Sequence, residues 1–137
     1  MSVVTELIRI EADNTLSFGD YTLAEKAKRS DFAYNNGSYK VKTCREMTRL
    51  ERDEVLAYES EPGTAVIGMK ADESAISFKV EGLQDAQITI GGEPGESYGI
   101  QIDGKASDEV KASLSGKVSF SVELEEGKAV AVEVVRR

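Results

Sequence analysis

Lys117-Val118-Ser119-Phe120-Ser121-Val122-Glu123-Leu124 alternates polar and apolar residues without a break. Successive side chains of a strand point to opposite faces. Val118, Phe120, Val122 and Leu124 therefore share one face, and Lys117, Ser119, Ser121 and Glu123 the other. A helix would scatter the same apolar residues around its circumference. The stretch predicts a strand with one face on a core, and four more segments follow the same rule. They carry Ile76, Phe78 and Val80; Ile88 and Ile90; Tyr98, Ile100 and Ile102; and Val130, Val132 and Val134.

Between these runs stand residues that suit turns: Gly91-Gly92, Pro94-Gly95, Asp103-Gly104, Ser115-Gly116 and Glu126-Gly127. Each supplies a position that tolerates positive φ or presets φ. Asp103-Gly104 is the strongest hairpin signal, because Asp-Gly suits the primed turn that matches strand twist. Strand and turn recur at the interval of an all-β sandwich or barrel.

The first half is less regular. Leu7, Ile8, Ile10, Leu16, Phe18, Tyr21 and Leu23 interleave with polar residues, with Gly19-Asp20 and Asn36-Gly37 as punctuation. Tyr39, Val41 and Thr43 alternate with Lys40 and Lys42, a strand leaving the Asn36-Gly37 turn, and Val55 to Tyr58 is a short apolar run. Residues 22–30 contain good helix formers, and Met47 and Leu50 are three apart. Both stretches are short and flanked by turn signals, so strand is expected for each. Pattern changes at Pro62-Gly63. The expected fold class is all-β, a β-meander over residues 1–61 packed with a β-sandwich-like part over residues 62–137, as two tightly associated parts or one continuous domain.

A chain of 137 residues can bury a core without staples. It has no histidine, which removes the usual general base near neutral pH and the commonest metal ligand. A single cysteine, Cys44, excludes an intrachain disulfide and a thiolate metal cluster. Cys44 continues the apolar alternation and is expected to be structural. No cofactor and no metal are expected.

The net charge of −8 opposes nucleic acid and anionic membranes, and neither half is basic. No apolar stretch approaches the roughly 20 residues of a membrane span, and the start lacks the pattern of a signal peptide. The expected location is the cytoplasm.

Candidate chemistry is sparse. Lys40, Lys42, Arg45, Arg49 and Arg52 form the densest basic cluster. Lys40 and Lys42 would share a strand face and can hold a carboxylate or phosphate; the alternative is a solvated face balanced by Glu46 and Glu51. Tyr39, Lys40, Lys42, Arg45 and Tyr58 form the candidate ligand-binding set, cations beside aromatic rings. The five tyrosines otherwise serve as core and cross-strand packing. Carboxylate pairs such as Asp72/Glu73 and Asp108/Glu109 carry little signal among 25 acidic residues. Gly91 to Gly95 lacks the Lys-Ser/Thr of a phosphate loop and reads as a turn.

The segments IEADNTLSFGDY (Ile10 to Tyr21), YKVKT (Tyr39 to Thr43), YESEPGTA (Tyr58 to Ala65) and VEGLQDAQITI (Val80 to Ile90) resemble a family of short bacterial proteins labelled endosialidase. The label implies an arginine cluster on a substrate carboxylate and a tyrosine/glutamate pair at the anomeric carbon. No residue here is matched to those roles, and a multi-bladed propeller does not fit in 137 residues. The stretch from Gly63 to Val134 is also similar in rhythm to β-sandwich accessory modules of glycan-processing enzymes. The expected function is a non-enzymatic binding or assembly module, with homo-oligomers through strand edges and a protein or glycan partner. Binding of a sialic-acid-type glycan is the alternative, and an endosialidase-type glycosidase the more remote one.

Overall fold

A computed structural model describes residues 3–137. In chain order the described residues form β1 (Ile8–Ile10), β2 (Leu16–Phe18), β3 (Ala27–Tyr34), β4 (Gly37–Thr43), β5 (Thr48–Arg52), β6 (Val55–Glu61) and β7 (Ala65–Ala71). They continue with β8 (Ala75–Glu81), β9 (Ala86–Gly91), β10 (Ser97–Ile102), β11 (Lys105–Lys111), β12 (Lys117–Val122) and β13 (Val130–Arg136). There is no helix among the described residues.

The strands make two antiparallel sheets. A seven-stranded sheet has the order β1-β2-β7-β8-β13-β10-β11, and a six-stranded sheet the order β12-β9-β6-β5-β4-β3. Their inner faces meet in a single core that includes Phe18, Leu50, Tyr58, Phe78, Ile88 and Val132. The fold is all-β and sandwich-like, with β3 to β6 as a true meander.

The expected division at residue 61 does not separate two cores. Beyond it, only β9 and β12 enter the six-stranded sheet, and alone they could not cover the apolar face of five strands opposite. Sheet pairing supplies the rest: Ile90 stands opposite Tyr58, and Ile88 opposite Ser60. On the other side, Phe18 of β2 pairs with Val66 of β7. Both sheets are thus built from both halves.

The turns follow backbone chemistry closely. Asp103 and Gly104 have φ of 51° and 81°, the two positive values a type I′ turn needs. Between β3 and β4 the same pair is Asn35 and Asn36, at 46° and 61°. The turn is centred one residue before the expected Asn36-Gly37, since asparagine tolerates this region as well. A Cβ at Gly37 would overlap the Arg52 side chain, which would have to move to admit it. Of the two ambiguous stretches, residues 27–30 lie in β3 and residues 48–50 in β5, with Cys44 buried in the connection before it.

Candidate functional site

At one end of the sandwich the β3–β4, β5–β6 and β7–β8 turns converge with the β9–β10 loop. The sheets do not close on each other there. A cleft of about 910 Å³ opens between them, within the range of about 300–1,000 Å³ typical of ligand sites. Its floor is apolar and comes from both sheets: the half-buried Leu56 and Ala57 from one, Met69, Ile76 and Tyr98 from the other. Its rim is charged with both signs, including Arg52, Asp53, Asp72, Glu73 and Arg136.

The geometry at the mouth is tightly held. Tyr34 and Tyr39 pack edge to face with centroids 5.6 Å apart, and the Arg52 guanidinium lies 5.9 Å from the Tyr39 ring. Arg52 also donates to the Asn35 carbonyl at 2.9 Å, and the Tyr34 hydroxyl to the Asn14 carbonyl at 2.6 Å. Across the cleft the Glu93 N–H donates to the Tyr98 hydroxyl at 2.8 Å, and Arg136 bonds Glu96 at 2.7 Å. The walls are pre-organised by protein groups.

The β7–β8 turn is fastened by Asp72, whose carboxylate accepts from the Ser74 N–H at 2.7 Å, the Ser74 hydroxyl at 2.8 Å and the Ala75 N–H at 3.0 Å. The Ser74 hydroxyl first, and then the Ser74 and Ala75 amides, hold the Asp72 carboxyl below the ordinary carboxylate range. A carboxyl depressed on folding contributes stability above its unfolded pKa, and that stability is lost as pH falls through the folded value. An NMR titration should therefore place the Asp72 midpoint below that of an ordinary aspartate. Ser74→Ala should move it upward, and an unmoved midpoint would remove the hydroxyl as the main cause.

The five residues expected to bind a ligand do not converge. Tyr39 is a wall of the cleft. Tyr58, 0 % exposed, lies inside the core, where its hydroxyl bonds Thr64 at 2.7 Å. It has no surface to offer a ligand, because it falls on the inward phase of β6. Lys40 and Lys42 take the outward phase of β4, with Lys40 opposite Glu51, and Lys42 between Lys28 and Arg49. Arg49 is engaged by Glu51 at 3.0 Å and Glu59 at 2.9 Å. Arg45 is exposed in the β4–β5 connection, at the end of β4 away from the cleft.

The phenols speak to the chemistry. Burial raises the pKa of Tyr58 and of Tyr39, against a smaller downward pull from Arg52 on the latter; it raises Tyr34 as well. A tyrosine nucleophile needs the opposite shift. At the cleft Tyr34 and Tyr39 are neutral hydrogen-bonding and stacking groups.

Sequence reasoning missed the cleft floor, since Met69, Ile76 and Tyr98 obey the same inward alternation as the core. The one local signal was Val55-Leu56-Ala57, three apolar residues in succession directly after a turn, of which Val55 is 68 % exposed. No protein-family model, no curated protein and no solved structure matches this chain.

Proposed function

We propose that the protein is a non-enzymatic binding module that takes a small, partly apolar ligand into the cleft between its sheets. The observation that carries this reading is the cleft of about 910 Å³, apolar in its floor and charged only at its rim. Burial of an apolar ligand body supplies affinity, while rim groups of both signs select its polar end. The upward-shifted phenols and the engagement of Arg49 by two glutamates favour binding over glycosidic chemistry.

A ligand that binds the native state raises apparent stability. Octanoate, indole and anilinonaphthalene sulfonate are expected to raise the melting temperature. Ala71→Trp, at an exposed position on the cleft wall, should abolish the rise without lowering the melting temperature of the free protein. If none of the three probes raises it, the cleft is not a ligand site. Sialylated oligosaccharides serve as the contrasting arm: a sugar-induced rise lost in Lys42→Ala or Arg45→Ala would move the site to the outer sheet face. Release of product from polysialic acid by the purified protein would replace binding with turnover.

A further inference from the structure

Four strands border the two sheets: β1 and β11 in one, β3 and β12 in the other. An edge strand offers unpaired N–H and C=O groups to another chain unless something blunts it. β1 has only three residues. β3 is broken between Arg29 and Phe32, where Asp31 has φ of 57°. β11 is irregular against its neighbour and carries Lys105, Asp108, Glu109 and Lys111. β12 differs from all three, pairing with β9 in unbroken register from Lys117 to Val122. Its outward residues at the centre are the neutral Ser119 and Ser121.

Hydrogen bonds fix which backbone groups face the free side. The Gly116 carbonyl accepts from the Gly92 N–H at 2.6 Å, and the Leu124 N–H donates to the Asp85 carboxylate at 3.0 Å. Even-numbered residues therefore direct their backbone toward β9. Lys117 points the other way, where Ser113 takes both of its groups, the carbonyl at 3.0 Å and the N–H at 3.1 Å. Strand alternation leaves the N–H and C=O of Ser119 and Ser121 directed at the open edge.

We propose that β12 is a self-association edge, joining two copies of this chain by two-fold antiparallel pairing centred on Phe120. In that register Ser119 faces the partner's Ser121, and these two residues have the outward-directed backbone groups of a hydrogen-bonded pair. The same register sets Lys117 against the partner's Glu123, on each side of the axis. Both are exposed and lie on the same face as the serines. Like charges meet nowhere on that face, and every cross-strand charge finds its opposite. The two six-stranded sheets become one continuous sheet, and Lys117, which also lines the cleft, stands where the contact meets its mouth.

One strand per copy is a small interface, so the dimer belongs to the weak, concentration-dependent class. Sedimentation between about 10 µM and 1 mM should show the wild-type protein passing from monomer toward dimer. Lys117→Glu and Glu123→Lys should each weaken association about tenfold, by setting like charges opposite one another. The double reversal should restore it to within about threefold of wild type. Amide exchange at Ser119 and Ser121 should slow as concentration rises. A wild-type protein monomeric throughout that range, or a dimer whose Ser119 and Ser121 amides exchange as fast as in the monomer, would overturn the proposal. So would a double reversal no tighter than the single variants.

Discussion

Replacement of Tyr58 by alanine is expected to remove about 4–5 kcal/mol of stability, at the upper end for truncation of a buried aromatic ring. The ring sits between Phe18 and Phe78, edge to face with both, at centroid distances of 5.3 and 5.7 Å. Its loss opens a cavity and forfeits both aromatic contacts. The hydroxyl is one end of a buried polar chain: Tyr58 to Thr64 at 2.7 Å, the Thr48 hydroxyl to the Thr64 carbonyl at 2.8 Å, Thr43 to Thr48 at 2.8 Å, and the Asp20 N–H to Thr43 at 3.0 Å. Tyr58→Phe keeps the ring and removes only that end. It should cost about 1–2 kcal/mol, since Thr64 keeps its bond to Ser60 at 2.8 Å. Urea unfolding of the two variants checks the order. If Tyr58→Phe lost as much as Tyr58→Ala, the polar chain rather than the packing would dominate this site.

Gly63→Ala is expected to cost about 3 kcal/mol, although it adds one methyl group. A Cβ at this position would overlap the Cys44 carbonyl oxygen and press on the Arg45 carbonyl. The Gly63 N–H donates to that same Arg45 carbonyl at 2.8 Å, so the β4–β5 and β6–β7 connections are clasped backbone to backbone. Neither can retreat without breaking the bond. Gly127→Ala supplies the contrast. Gly127 has φ of 81° and nothing within 4 Å of a built Cβ, so only the backbone penalty of about 1 kcal/mol applies. Thermal unfolding of both should show the larger loss at Gly63. Equal losses would mean that the clasp yields freely.

What the sequence made legible depends on what each strand buries. β8, β9, β10, β12 and β13 each press alternate residues on the core, so Phe78, Ile88, Ile100, Phe120 and Val132 announce them. β11 was invisible, because it is an edge strand on which only Val110 is half-buried and Lys105 to Glu109 are exposed. β3 was obscured for the same reason, and its residues 27–30 look helical by propensity because no packing constrains them. The Asp53-Glu54 turn escaped notice as well: both residues have positive φ, at 49° and 70°, without a glycine to mark the place.

The candidate site was the least legible part. Cations and tyrosines close in sequence along β4 suggested a patch, but period-two alternation sends neighbours to opposite faces. Tyr39 turns inward while Lys40 and Lys42 turn outward. The cleft, by contrast, is assembled from the ends of strands far apart in the chain. Whether an inward residue becomes core or cleft floor depends on where the two sheets part, and local pattern does not encode that distance. Tyr39 belonged to both accounts because it lies near the end of its strand.

The measurement that bears most directly on the function is a two-dimensional NMR titration with octanoate, followed at the methyl groups. The expected result is saturable shifts at Leu56, Met69 and Ile76, which line the cleft, with the methyls of Val41 and Val80, deep in the core, unmoved. Shifts confined to the outer face of β4 and β5, or no saturable shift at any methyl, would contradict the account.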